Sequence, residues 1–158
     1  MPLFKTLIFL IIVPGFVTVL APYWLLSSGW NRSFDIDSLR FIGLLPIILG
    51  ATALLWCMWD FAAFGKGTPA PIDPPKVFVS RGLYRFVRNP MYVGLAFILT
   101  GEAIFFKSWT LLGYAFLVWL AQNLFVLLYE EPVLKNKFGA EYEAYLKTVP
   151  RWWPKRSK

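Results

Sequence analysis

The sequence contains no histidine and one cysteine, Cys57, among its 158 residues. Without histidine, the usual zinc sites and the Ser-His and Cys-His nucleophile systems are excluded, because they depend on an imidazole ligand or base. Cys57 stands inside an apolar segment, so it offers neither a disulfide nor an activated thiolate. We therefore predict no metal site, and any chemistry must depend on carboxylates, arginine, lysine, tyrosine, amides and the backbone.

Charged residues are also scarce, at 16% of the chain, whereas hydrophobic residues make up 58% and the mean hydropathy is +0.56. This balance lies outside the range of soluble domains and indicates a membrane protein. The net charge of +7 does not indicate a nucleic-acid partner, because the basic residues stand in loops beside apolar segments rather than in a stripe. We interpret them as signals of membrane topology.

The apolar residues form blocks of about twenty, the length that a helix needs to cross a bilayer. We therefore predict an all-α integral membrane helical bundle in one domain, 1–158. Four transmembrane helices are expected, at 7–26, 41–64, 91–106 and 110–129. The short junction between the last two predicts a C-terminal helical hairpin. The tail, 130–158, predicts an amphipathic interfacial helix that is interrupted at Gly139.

The loop 65–90 determines the expected orientation. It is stiffened by prolines in its first half, and it holds five basic residues against Asp73 alone. An excess of lysine and arginine marks the cytoplasmic side of a membrane protein. With four spans, the N-terminus, this loop and the tail then all lie on that side, so we expect a multi-pass protein of the cell membrane with both termini cytoplasmic.

Two polar clusters flank the predicted hairpin. Arg88, Asn89 and Tyr92 stand at its start, and Glu130 and Glu131 stand at its end. Because a tight hairpin brings its two ends together, we expect these clusters to face each other across about forty residues of sequence. The simpler alternative is that the charges pair only with each other and with lipid headgroups.

Several ordered motifs extend this pattern. They are the stretch 82–94 (GLYRFVRNPMYVG), Tyr129-Glu130-Glu131, the stretch 138–145 (FGAEYEAY) and Val149-Pro150-Arg151. In this order the motifs resemble the isoprenylcysteine carboxyl methyltransferase and phospholipid methyltransferase superfamily of integral membrane enzymes. The likeness covers the C-terminal half to two thirds of the chain, beginning near Gly65, and the set of motifs is more specific than any one of them.

The resemblance implies that S-adenosylmethionine binds at the cytoplasmic end of the last two helices and that a lipophilic acceptor arrives from the bilayer. The residues implied to bind or surround the donor are Arg88, Asn89, Tyr92, Glu130, Glu131, Tyr84, Gly94, Gly65 and Gly67. Relatives often carry histidine where this chain has Asn89, so an imidazole contact is here made by the amide or lost. Glu131 is the candidate base for an acceptor that must lose a proton.

The acceptor atom stays open at this point, because a carboxylate, an amine or a thiol would each fit. Two other functions are also compatible with the sequence. One is an NADPH-dependent membrane reductase of the sterol-reductase type, and the other is a non-enzymatic membrane scaffold. Among the remaining polar residues, Asp60 is equally compatible with a functional and a structural role. Glu102 and Lys107 are expected to pair at the outer turn.

Overall fold

The computed structural model describes Ile8, residues 12–64 and residues 77–154. Most of these residues are helical, which confirms the all-α prediction, and only an isolated bridge between Ser33 and Ser108 resembles strand pairing there. The five helices are α1 (Ile12–Ser27), α2 (Leu44–Phe64), α3 (Pro90–Phe105), α4 (Trp109–Phe125) and α5 (Glu131–Thr148). Two 3-10 helices, Asp37–Gly43 and Gly82–Arg85, precede α2 and α3. One π-helical turn, Phe16–Leu20, lies within α1, and another, Val126–Glu130, joins α4 to α5.

Two helical stretches are long and apolar enough to cross a bilayer, namely Asp37–Phe64 and Trp109–Thr148. Two further apolar helices, Ile12–Ser27 and Pro90–Phe105, are shorter. All four lie where the sequence predicts spans. Length and composition nevertheless identify two span candidates, so the count of four stays a prediction. The proline-rich part of the predicted loop, 65–76, lies outside the described residues.

Paired glycines bring α2 and α3 together. The two helices are antiparallel, with Gly43 and Gly50 on one side opposite Gly101 and Gly94 on the other. A Cβ atom at Gly43 would lie 2.5 Å from the Gly101 carbonyl oxygen, and one at Gly94 would lie 2.9 Å from that of Gly50. Small residues at matching positions let helix backbones approach closely, as membrane helices commonly do. This contact holds the end of α3 against the start of α2 and the first turns of α3 against the first half of α2.

The buried core lies along the same contact. Leu54 and Cys57 of α2 pack with Leu95 and Ile98 of α3 and with Tyr84 from the loop before α3. Cys57 is fully buried, as its position inside an apolar segment of the sequence indicates. The core therefore ends at the loop that carries the polar cluster around Arg88.

The predicted hairpin between α3 and α4 is confirmed. Its turn includes Lys107 at a positive φ of 54°, and Ser108 caps α4 by accepting a hydrogen bond from the Leu111 amide at 3.1 Å. The expected pair of Glu102 and Lys107 is not the one that forms. Lys107 Nζ instead donates to Asp35 Oδ1 at 3.2 Å, because the loop before α2 runs beside the turn and the Phe34 amide donates to the Lys107 carbonyl.

One hydrogen bond ties α1 to the hairpin. The Tyr114 hydroxyl of α4 donates to the Val17 carbonyl at 3.0 Å, and Val17 belongs to the π-helical turn of α1. Such turns displace carbonyls from regular helix pairing, which leaves them free to accept from a neighbouring side chain. The contact places α1 beside α4.

The sequence separates the fourth span from the tail, whereas the structure runs α4 through a π-helical turn directly into α5. Pro132 stands in the first turn of α5, and it lacks the amide that a continuous α-helix would use. The π-helical turn before Pro132 accommodates the missing backbone hydrogen bond. The break predicted at Gly139 is confirmed by its φ of 52° and ψ of −125°, which are not helical.

We expect Gly50→Ala to lower the free energy of unfolding by about 1–3 kcal/mol, because the new methyl group would meet the Gly94 carbonyl oxygen and force the backbones apart. Gly113→Ala is the matched control, since a Cβ there meets nothing within 4 Å. Thermal unfolding in detergent measures both. Equal melting temperatures for the two variants would contradict the close contact.

Candidate active site

The loop before α3 places Arg88 and Asn89 at one end of the helix pair, and Tyr92 follows in the first turn of α3. It turns through the 3-10 helix Gly82–Arg85 and reaches Pro90, which begins α3. The chain after α5 returns to the same place: the Arg88 amide donates to the Pro150 carbonyl at 2.9 Å, and Asn89 Nδ2 donates to the Arg151 carbonyl at 3.2 Å. The loop, α3 and the tail therefore meet at one point.

The two predicted clusters meet as the hairpin argument requires. The Tyr92 hydroxyl donates to Glu130 Oε2 at 2.8 Å, and Arg88 Nη1 donates to Glu131 Oε1 at 2.9 Å. These contacts join residues 38 and 43 positions apart. The start of α3 and the end of α4 thus share one site.

Glu131 is held by two arginines. Arg151 approaches it in a bidentate manner, with Nε donating to Oε1 at 2.8 Å and Nη2 donating to Oε2 at 2.9 Å, while Arg88 donates to Oε1. These hydrogen bonds raise the pKa of Arg151 above its ordinary value. Glu131 thus accepts three charge-assisted hydrogen bonds, which fix the position of its carboxylate.

Glu130 has different surroundings. Its hydrogen-bond partner among the described residues is the Tyr92 hydroxyl, and no arginine or lysine among them forms an ion pair with it. Arg88 also has an unused donor, because its buried Nε has no hydrogen-bond partner among the residues described. Two arginines share Glu131, so the site has an excess positive charge beside Arg88 and an excess negative charge at Glu130.

A cavity opens beside these charges. It is lined by Arg88, Asn89, Tyr92, Glu130 and Glu131 together with aromatic side chains from the loop, α4 and α5. Its volume is about 880 Å3 when the part open to its surroundings is included, so the charged side chains line an open cavity.

The aromatic wall centres on Phe78. Its ring lies 5.4 Å from that of Phe138, 5.6 Å from that of Tyr142 and 5.0 Å from that of Tyr145, measured between centroids. The last two contacts are edge-to-face, an arrangement that aromatic rings favour. Aromatic faces of this kind can hold a flat ring or a cation.

The other predicted site residues have separate positions. Tyr84 lines the cavity and is buried, with its carbonyl accepting a hydrogen bond from the Tyr145 hydroxyl. Gly94 lies in the contact between α2 and α3, against Gly50, and is absent from the described lining of the cavity. Its position supports a packing role rather than the predicted pocket role. Gly65 and Gly67 lie outside the described residues.

Asp60 supports the loop from behind. It is 3% exposed, its Oδ1 lies 3.6 Å from Arg81 Nε, and its Oδ2 has no partner among the described residues. Gly82 has a φ of 55°, and a Cβ atom there would collide with Asp60 Oδ2. The carboxylate therefore packs directly under the turn that carries Tyr84.

The sequence predicts no contact for Arg151, which it places only in the motif Val149-Pro150-Arg151, and it does not identify Phe78 as a lining residue. The contact between Glu131 and Arg151 spans the whole of α5, so no local period indicates it. A weak signal was present, because Glu131 and Arg151 both fall within motifs of the resemblance. Phe78 stands in a loop without periodicity and gave no signal.

Residues 39–141 match the model of the family described as phospholipid methyltransferase. The matched region includes α2, α3, α4 and the contacts of Arg88 and Tyr92 with the two glutamates. No curated protein matches the chain. Since the family match spans more than half of the 158 residues, the chain belongs to the phospholipid methyltransferase family, a family of enzymes that act on membrane lipids.

Proposed function

We propose that this protein transfers a methyl group from S-adenosylmethionine to the headgroup of a membrane phospholipid. The observation that supports the proposal is the divided charge of the site: among the described residues, Arg88 Nε has no hydrogen-bond partner and the Glu130 carboxylate has no cationic partner. The amino-acid end of S-adenosylmethionine carries a carboxylate and an ammonium group. A zwitterion of this kind complements the two excess charges.

The donor fits the residues that are present. Arg88 Nε would bind its carboxylate and Glu130 would bind its ammonium group. The aromatic wall around Phe78, which includes Tyr142 and Tyr145, would hold the adenine ring. Asn89 holds the tail through the Arg151 carbonyl, so its amide shapes the donor site rather than acting as an acid or base.

The bound donor supplies an electrophilic methyl group on a sulfonium centre. An amine headgroup would attack that carbon, so that a nitrogen–carbon bond forms while the sulfur–carbon bond breaks and its electron pair stays on sulfur. The headgroup must lose a proton before it attacks. Glu131 is occupied by two arginines and Glu130 by the ammonium group of the donor, so the proton passes to water.

The expected membrane topology determines which side of the membrane the site faces. We infer four spans, with the site at the cytoplasmic end of α3 and α4 and with both termini on that side of the cell membrane, because the basic residues concentrate in the loop and tail that build the site. The acceptor then arrives laterally from the bilayer. In this proposal 1–158 act as a single domain.

Detergent-purified protein should bind S-adenosylmethionine in calorimetry, and Glu130→Gln should weaken binding by about 1–3 kcal/mol because the ammonium group loses its carboxylate. Arg88→Lys should weaken it by a similar amount, since lysine keeps the charge toward Glu131 but removes Nε. Glu141→Gln and Arg85→Lys, at exposed positions, are the matched controls. Binding of NADPH in place of S-adenosylmethionine, or of neither compound, would overturn the proposal.

The two glutamates should differ in their effect on stability. Glu131→Gln should lower the free energy of unfolding by about 1–3 kcal/mol without any ligand, because it leaves two arginines without their carboxylate. Glu130→Gln should cost less, since its side-chain oxygen can still accept from Tyr92. Glu143→Gln is the control for charge removal: it breaks an exposed pair with Lys135, which contributes about 1 kcal/mol or less.

Thermal unfolding of the three variants in one detergent measures these differences. If Glu130→Gln destabilises the protein as much as Glu131→Gln, the carboxylate of Glu130 is a structural ion-pair partner and the assigned roles are wrong.

A further inference from the structure

A second cavity adjoins the Tyr92–Glu130 contact. It is completed by residues of α1 and α3 instead of α5, and it shares six lining residues with the first cavity: Phe61, Tyr84, Arg88, Asn89, Tyr92 and Glu130. Its volume is about 510 Å3 when the part open to its surroundings is included. The hydrogen-bonded pair of Tyr92 and Glu130 therefore has one cavity on the α5 side and another on the α1 side.

The walls that belong to the second cavity alone are apolar. They are formed by Val13 and Pro14 of α1 and by Met91 and Leu95 of α3. Polar groups occur only where the two cavities meet. A ligand that suits this space has a polar group at Glu130 and a hydrocarbon part along α1, which is the chemistry of an amphiphilic lipid.

The α1 wall has a fixed position. The Tyr114 hydroxyl holds the Val17 carbonyl, and the buried Thr18 hydroxyl donates to the Pro14 carbonyl at 2.8 Å. Val13 is 44% exposed and Pro14 is buried, so Val13 lies at the rim of the cavity and Pro14 lies in its interior. Both precede residues 39–141, the region that matches the family.

We propose that the cavity on the α1 side binds the acceptor lipid and that Val13, Pro14 and Leu95 determine which lipid is accepted. This inference rests on the proposed function. The donor occupies the α5 side and the acceptor headgroup the α1 side, and the two approach each other at Tyr92 and Glu130. In this arrangement donor affinity and acceptor selectivity belong to different parts of the chain.

A groove on the other face of α3 is the competing location. It is apolar and larger, and it is lined by Val93 and Phe97 of α3, by residues of α4 and by Trp152. Its described lining shares no residue with the first cavity, the one proposed to bind the donor. A lipid chain in that groove would therefore not reach the Tyr92–Glu130 pair through the groove itself.

The same substitution at two positions separates these locations. Val13→Trp fills the cavity on the α1 side, and Val93→Trp fills the groove on the other face of α3. The substrate is a polar-lipid extract of the host membrane in detergent micelles with methyl-labelled S-adenosylmethionine. The measurements are the initial rate against lipid mole fraction and, separately, the dissociation constant of the donor by calorimetry.

We expect Val13→Trp to raise the apparent KM for lipid about tenfold or more, because a filled apolar pocket rejects its ligand strongly. Its donor dissociation constant should stay within about twofold of wild type. Val93→Trp should leave both quantities within about twofold. If Val93→Trp raises the KM and Val13→Trp does not, or if the two variants behave alike, the assignment to the α1 side is overturned.

Loss of donor binding in Val13→Trp would indicate misfolding. Leu95→Phe is then the variant that tests the acceptor site, since it narrows the same cavity from α3 with a smaller change in volume. A raised KM for lipid with unchanged donor binding supports the proposal, and an unchanged KM overturns it. Wild-type protein that binds no S-adenosylmethionine contradicts the proposed function itself. Wild-type protein that binds donor and labels lipid, with no effect of any cavity variant, contradicts only the acceptor site.

Discussion

The contact between the start of α3 and the end of α4 is the constraint on which the site depends. Arg88 and Tyr92 reach Glu131 and Glu130 only because Lys107 and Ser108 turn the chain tightly. The glycine contact with α2 holds α3 from its other side, so α3 cannot shift without separating the two backbones. Helix packing within an apolar solvent thereby determines where the few charges of this chain meet.

Consecutive acidic residues can take separate roles because of the helix that carries them. Side chains one residue apart on a helix point about 100° apart, so Glu130 and Glu131 face different neighbours. Glu131 turns toward the tail and its Arg151, whereas Glu130 turns toward Tyr92. The π-helical turn Val126–Glu130 ends at this pair, and turns of this type change the direction of side chains without ending the helix. One glutamate is thus held by the arginines of the loop and the tail, and the other accepts a hydrogen bond from a hydroxyl of α3.

The sequence was sufficient for the features that follow from chain length and local pattern. The hairpin predicted the contacts of Arg88 and Tyr92 with the glutamates, and Gly139 marked the break in the tail helix. It was insufficient for contacts chosen by tertiary packing. Lys107 pairs with Asp35 rather than with Glu102, since the loop before α2 runs beside the turn. Gly94 fits a pocket motif and a helix contact equally well in sequence, and only the position of α2 distinguishes them.

The absence of histidine is consistent with the role that Asn89 has in the structure. Asn89 donates one hydrogen bond, from Nδ2 to the Arg151 carbonyl, and a neutral imidazole could donate one such bond from its single N–H. A histidine that only positions the tail can therefore be replaced by an amide, whereas a histidine that transfers a proton cannot. Arg151 holds Glu131, so the Asn89 contact supports the arginine that keeps Glu131 occupied. Among the described residues, Glu130 is then the carboxylate of the pair that no arginine contacts.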